Sequence, residues 1–194
     1  MGIIRNTTEN NCSIAIWDTQ ETLDELLKLA KPFDLSIFKT EKRKKEFLAS
    51  RLLLQELYPN ATIIYNELGA PTLNNEKFIS ISHSKELVSI IISDQQVGMD
   101  IEQISEKALK LASKFVSDKN LKNLNKEKAT LIWCIKEAVF KWHQKGKVDF
   151  IKDIIIPEFS EKGKGQIKVN FKNKELIFNY QKLNNHYLVY VCTN

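Results

Sequence analysis

Cysteine is scarce in this chain. Cys12, Cys134 and Cys192 are the only three in 194 residues, far apart and odd in number. Their spacing shows no CxxC pair and no disulfide framework, so a reduced, cytoplasmic compartment is expected. Histidine is equally scarce. His143 and His186 show no metal-ligand spacing, and the lack of any Cys/His cluster argues against zinc. No apolar stretch approaches the roughly 18 to 20 residues of a membrane span. The opening Met1-Gly2-Ile3-Ile4-Arg5-Asn6 lacks the apolar run of a signal peptide. With six glycines and four prolines, the chain has no Pro/Gly/Ser linker to divide it. It also has no Gly-rich stacking motif, zinc finger or basic-aromatic ribbon of the kind that binds nucleic acid. Acidic residues are in deficit, 24 against 29 Lys and Arg, giving a net charge of +5 and a pI of about 9.0. Such a surface favours an anionic partner: nucleic acid, an anionic membrane, a phosphorylated small molecule or an acidic protein. Charge alone does not choose among them.

What is present is ordinary for a folded protein, with 43% hydrophobic and 27% charged residues. The segment Cys12 to Trp17 reads as a first strand, and Thr22 to Leu29 has helical spacing that Pro32 interrupts. Glu41 to Leu57 reads as a long helix, apolar through Phe47, Leu48, Leu52, Leu54 and Leu57 and basic through Lys42, Arg43, Lys44, Lys45 and Arg51. A short strand is expected at Thr62 to Tyr65, then a turn-rich loop from Glu67 to Glu76. Phe78 to Ser82, Leu87 to Ser93 and Gly98 to Glu102 read as an antiparallel meander, the middle strand buried on both faces. Ile104 to Phe115 reads as helical. Ala129 to Gln144 reads as a second long helix, with Gly146 placed to end it. Four strands are expected over Ile151 to Pro157, Gln166 to Lys172, Glu175 to Gln181 and His186 to Cys192. The pattern is α+β: two pseudo-symmetric halves, 1–96 and 97–194, each a helix packed on a small antiparallel sheet, the two packed as one unit.

Two acidic motifs lie about 35 residues apart. Asp100 and Glu102 sit at i and i+2, so a strand directs both to one face. Two ionised carboxylates that close repel unless a cation or proton lies between them. Magnesium suits such oxygen ligands and takes one or two carboxylates with phosphates and waters. An isolated Asp-x-Glu is more often a solvated strand end, but Gly98 within the strand marks a close backbone or ligand approach. Glu137 and Lys141 share one face of the second long helix, with Trp133 a turn earlier. On a solvated helix they would be a surface ion pair. Here Ile132, Ile135, Ala138, Val139 and Phe140 make much of the circumference apolar. His83, between Ser82 and Ser84 at a strand end, offers hydroxyl and imidazole groups suited to phosphate oxygens, though a lone histidine is more often structural. Arg43 and Arg51, eight residues apart, fall within roughly 80° on their helix. Arginine grips phosphate bidentately, and a solvated basic face is the other reading.

Together these residues resemble the 4′-phosphopantetheinyl transferases, specifically the pseudo-dimeric surfactin-synthetase-activating type. Gly98-Met99-Asp100-Ile101-Glu102 matches the first signature of that family. Trp133-Cys134-Ile135-Lys136-Glu137-Ala138-Val139-Phe140-Lys141 matches the second. Ser82-His83-Ser84 matches the strand end that precedes the first, and Ser50-Arg51 stands at the Gly/Ser-Arg position of the basic helix. The Gly-Lys-Pro loop is matched only in part, by Gly69-Ala70-Pro71. Order and spacing agree across roughly residues 40 to 150.

The resemblance implies transfer of phosphopantetheine from coenzyme A to a serine of an apo acyl or peptidyl carrier protein, with release of 3′,5′-ADP. It implies that Asp100, Glu102 and Glu137 hold Mg²⁺, for which Mn²⁺ could substitute. Lys141 would stabilise or protonate the leaving nucleotide, and the catalytic set would be Asp100, Glu137 and Lys141. Arg43, Arg51, Ser82, His83, Lys136 and Lys141 would contact coenzyme A. The proton acceptor is Glu137 or a metal-bound water. The carrier of this family is acidic, which suits a basic chain. A monomer is expected, with neither nucleic acid nor membrane as partner. Two positions depart from the family: Ala70 replaces the loop lysine, and Asn120 stands where many relatives have glutamate. A non-catalytic coenzyme A- or carrier-binding homologue is the alternative, then a basic nucleic-acid-binding module. The complete carboxylate set disfavours the first.

Overall fold

The computed structural model describes residues 2–9, 11–117, 121–122 and 124–193. Asn120 lies outside the described residues. The chain forms two compact units, Met1–Asp94 and Gln95–Asn194. Each is a mixed α+β body in which a long helix lies on an antiparallel sheet. Among the described residues, no helix is long and apolar enough to cross a membrane.

In the first unit, β1 (Ile3–Glu9), β2 (Cys12–Asp18), β5 (Phe78–Ser84) and β6 (Leu87–Ser93) form a sheet in the order β1-β2-β6-β5. Helix α1 (Leu23–Leu29) starts at a capping box, where Thr22 and Glu25 satisfy each other's backbone N–H groups. Helix α2 (Glu41–Leu57) is capped by Thr40, whose hydroxyl accepts from the Arg43 N–H. Its Leu48, Ala49, Leu52 and Leu53 pack in one core with Ala15, Trp17, Val88, Ile90 and Ile92 of the sheet. Strand β6 is buried on both faces from Val88 to Ser93. Strands β3 (Ile63–Tyr65) and β4 (Pro71–Leu73) make a separate hairpin.

In the second unit, β7 (Gln96–Gln103), β8 (Ile154–Ile155), β9 (Lys164–Phe171), β10 (Lys174–Leu183) and β11 (His186–Thr193) form a sheet in the order β7-β11-β10-β9-β8. Helix α3 (Glu106–Lys110) and a 3₁₀ turn, Ala112–Lys114, precede helix α4 (Lys126–His143). Asn125 caps α4 by accepting from the Lys128 N–H. Leu131, Ile135, Ala138, Val139 and Trp142 of α4 pack in one core with Val169, Phe178, Tyr187, Val189 and Val191 of the sheet.

The structure departs from the sequence reading in several elements. Strand β7 does not continue the β5–β6 hairpin. Both edges of β6 are already occupied, by β2 and β5, so β7 pairs along its length with β11 instead. Strand β1 has no apolar alternation to announce it; Arg5, Asn6, Thr7, Thr8 and Glu9 make it a polar edge strand. Strand β4 is three residues within the expected loop, and β8 is two residues where seven were expected. The helix expected over 104–115 breaks at Leu111 into α3 and the 3₁₀ turn, which buries Ala112 and Phe115 beside Val116 and Ile132. Helix α4 stops at Gln144 in the left-handed region (φ 56°), two residues before Gly146.

Candidate active site

In the second unit the site begins with a glycine. A Cβ on Gly98 would lie 2.2 Å from the Ala138 carbonyl oxygen and 2.6 Å from Trp142 Cβ. Only a residue without a side chain lets α4 lie this close to β7. Asp100 and Glu102 follow at alternate positions on the strand and therefore share the Gly98 face. Glu137 and Lys141 lie on the stripe of α4 that this approach brings down.

Lys141 Nζ donates to Asp100 Oδ1 at 2.7 Å, and the Asp100 side chain is only 4% exposed. Trp133 Nε1 donates to Glu102 Oε1 at 3.3 Å. The Glu137 carboxyl is pushed up to about 7, first by burial, then by the charge of Asp100 and, less, of Glu102; Lys141 opposes the rise. A carboxyl poised near neutrality can accept or give a proton under physiological conditions. Cys134 is buried beneath the group and donates to the Tyr187 carbonyl at 3.6 Å. Burial and then Asp100 and Glu102 push its thiol well up, so it is not a nucleophile. The structure thus brings together Asp100, Glu102, Glu137 and Lys141.

Could this group hold a metal? The donors are all carboxylate oxygens, the chemistry that a hard divalent cation takes. Their mutual repulsion is expressed in Glu137 and is offset by the ammonium of Lys141, so a cation is what the group favours electrostatically. Among the described residues, no three His, Cys, Asp or Glu side chains stand close enough to hold a metal ion as they are.

Lys136 is not brought to the carboxylates. Next to Glu137 in sequence, it is rotated about 100° around the helix. Its ammonium donates to the carbonyls of Phe150 and of Ile154, the latter at 2.8 Å. Burial pulls it down to about 8, with Asp149 opposing. The turn it ties carries Phe150, whose ring packs against Trp133 (5.7 Å between centroids) and Phe140 (6.1 Å).

The remaining candidates lie in the first unit. Arg43 Nη1 donates to Glu46 Oε2 at 2.9 Å and meets His83 Nε2 at 2.6 Å. Ser82 is buried on β5 and its carbonyl accepts from the Ser89 hydroxyl at 3.3 Å. Arg51 stacks 3.7 Å over the Phe47 ring, donates to Ser50 Oγ at 2.9 Å and to the Tyr65 hydroxyl at 3.0 Å. Its fork is held by three groups, and Tyr65 comes from the β3–β4 hairpin. The tip of that hairpin contains Gly69 (φ +76°) and Ala70, whose N–H donates to Asn66 Oδ1 at 2.9 Å. Glu46, Tyr65 and the Trp133 indole were not singled out for these contacts by sequence. Glu46 carried no motif signal. Trp133 did carry one, as the first residue of the second motif.

Residues 96–192 match the 4′-phosphopantetheinyl transferase superfamily. The chain is also similar to the 4′-phosphopantetheinyl transferase gsp of Aneurinibacillus migulanus, 36% identical over 111 residues. That alignment covers 52% of this chain and 47% of the relative, so it spans about half the length of each. The superfamily match takes in β7, with Asp100 and Glu102, and α4, with Glu137 and Lys141. On that match this chain belongs to the 4′-phosphopantetheinyl transferase superfamily.

Proposed function

We propose that this protein is a holo-[acyl-carrier-protein] synthase type enzyme, moving 4′-phosphopantetheine from coenzyme A to a serine of an apo carrier protein and releasing 3′,5′-ADP. The observation that carries the reading is the close approach of α4 to β7 over Gly98, with three carboxylates and one ammonium on the facing surfaces. Asp100, Glu102 and Glu137 are the residues that would hold Mg²⁺. When bound, the ion would neutralise pyrophosphate charge and activate the phosphorus for attack by the serine oxygen. Lys141, now on Asp100, would face the leaving phosphate and stabilise its charge or protonate it. Glu137 would take the serine proton; a bound cation would bring its carboxyl down from about 7 and keep it ionised for that step. Arg43, Arg51, Ser82 and His83 are read as contacts to the nucleotide phosphates. Lys136 is read differently from the sequence expectation: its ammonium ties carbonyls, so it supports the wall of the site. The basic balance of the chain suits an acidic carrier. We read the protein as a cytoplasmic monomer.

The test is transfer itself. The protein is incubated with coenzyme A, Mg²⁺ and an apo carrier protein, and the carrier is weighed by mass spectrometry. A phosphopantetheine-sized gain is expected, lost on chelation and in Asp100→Ala and Glu137→Ala proteins that remain folded. Wild-type turnover in either variant would sink the metal assignment. Retained coenzyme A binding without transfer to several carriers would favour a non-catalytic homologue.

A further inference from the structure

We propose that Glu46 is a positioning residue: a buried carboxylate that holds Arg43 and sets the tautomer of the His83 ring against it, so that the remaining guanidinium donors of Arg43 are preset for a phosphate monoester. The proposal rests on the reading that Arg43 contacts nucleotide phosphate.

Glu46 lies on α2 with its side chain only 7% exposed. Two cations and an imidazole converge on it. Arg43 Nη1 lies at 2.9 Å from Oε2; His83 Nδ1 at 3.4 Å and Lys42 Nζ at 3.7 Å face Oε1. A carboxylate this buried is tolerated only with such compensation. The geometry also fixes a proton. Arg43 Nη1 stands 2.6 Å from His83 Nε2. A guanidinium can only donate, so Nε2 must accept and carries no hydrogen. The ring proton of the neutral imidazole is then on Nδ1, the nitrogen that faces Glu46. One carboxylate, reached from α2 and from β5 some forty residues later, therefore orders both members of the pair. Arg43 is 58% exposed and is not held by burial; Glu46, directly and through His83, restrains it.

Glu46→Gln keeps the shape and removes the charge; Glu46→Asp keeps the charge and shortens the reach. Two readouts separate positioning from bulk stability. The first is the ¹⁵N signals of the His83 imidazole, assigned with His83→Gln. The second is affinity for adenosine 3′,5′-bisphosphate by calorimetry, alongside the coenzyme A KM and kcat. In Glu46→Gln the Nδ1–H tautomer should give way to a mixture. The bisphosphate affinity should fall about tenfold, with KM rising in step and kcat within about twofold, as expected for loss of a charge-assisted contact that orders binding groups. Glu46→Asp should recover part of both. Unchanged imidazole signals and affinity in folded Glu46→Gln would overturn the proposal, as would a fall in kcat at constant KM. The two readings fail separately. If wild-type protein transfers nothing to any carrier but the tautomer and bisphosphate effects appear, the enzymatic reading falls and this one stands. If transfer is normal and the Gln variant changes neither readout, only this one falls.

Discussion

Replacing Gly98 with alanine puts the packing argument at its most exposed. The added carbon would sit 2.2 Å from the Ala138 oxygen, 2.6 Å from Trp142 Cβ and 2.7 Å from Trp142 N. Two of those atoms are backbone of a regular helix, and Gly98 itself is in a strand paired with Val191 of β11. Neither can rotate out of the way. Restoring ordinary contact requires the helix and strand to part by about 1 Å, an overpacking that costs about 1–3 kcal/mol. We expect the upper half of that range. The displacement falls where it matters, because Lys141 precedes Trp142 and Asp100 lies two residues beyond Gly98. A misplacement of about 1 Å among reacting groups costs about 100-fold in rate. Urea unfolding measures the first effect and single-turnover transfer to an apo carrier the second. Gly163→Ala is the control: its Cβ would meet nothing within 4 Å, and stability should be unchanged or higher by up to about 1 kcal/mol. If Gly98→Ala lost less than about 0.5 kcal/mol, or transferred within about twofold of wild type, the close approach would not be what assembles the site.

Three further outcomes follow from the same contacts. The Glu137 carboxyl titrates near 7 when folded against an ordinary 4.5, so the folded chain binds the extra proton between those values. Stability should therefore fall as pH rises from about 4.5 to 7 and level off above; Glu137→Gln should remove that slope, seen by denaturant unfolding at pH 5 and 7.5. A slope equal in both proteins would contradict the assignment. Lys136→Met strips two carbonyl acceptors of their donor in a buried place and should cost about 2–4 kcal/mol, read by urea unfolding. Arg51→Lys cannot both stack on Phe47 and reach Ser50 and Tyr65, so the coenzyme A KM should rise about tenfold with kcat nearly unchanged. An unchanged KM would mean that the fork plays no part in binding.

How far the sequence could be read depended on whether the governing contact was local. Helix α2 was legible to both ends, because Leu48, Leu52 and neighbouring apolar residues recur at helical spacing and Pro59 closes the stretch. Strand β6 was legible because six consecutive residues are buried and its run is apolar and β-branched. The destination of β7 was not. Nothing in Val97-Gly98-Met99-Asp100 says that β6 has no free edge; that depends on β2, eighty residues upstream. Strand β1 escaped notice because an edge strand needs no apolar alternation when its hydrogen bonds to β2 hold it. The end of α4 was legible to within one residue, but its terminator was not: Gln144, not Gly146, takes the left-handed position that closes the helix.

The same division separates the chemistry-bearing residues from those that hold them. Spacing within one element told that Asp100 and Glu102 share a strand face and that Glu137 and Lys141 share a helix stripe. It could not tell that the two faces meet, which depends on the missing side chain at Gly98. Contiguity in a motif also misleads. Lys136 and Glu137 are neighbours in sequence, yet a 100° step per residue sends one to the Phe150 and Ile154 carbonyls and the other to the carboxylates. Their roles nonetheless connect. Lys136 holds the turn that carries Phe150, Phe150 packs on Trp133, and the Trp133 indole donates to Glu102. Glu46 stands to Arg43 and His83 as this chain of contacts stands to Glu102. In both units a charged side chain restrains neighbours to which the proposed function gives a part in binding or reaction. What marks Lys136 and Glu46 out is their contact with Phe150, Ile154 and His83, which lie far from them along the chain.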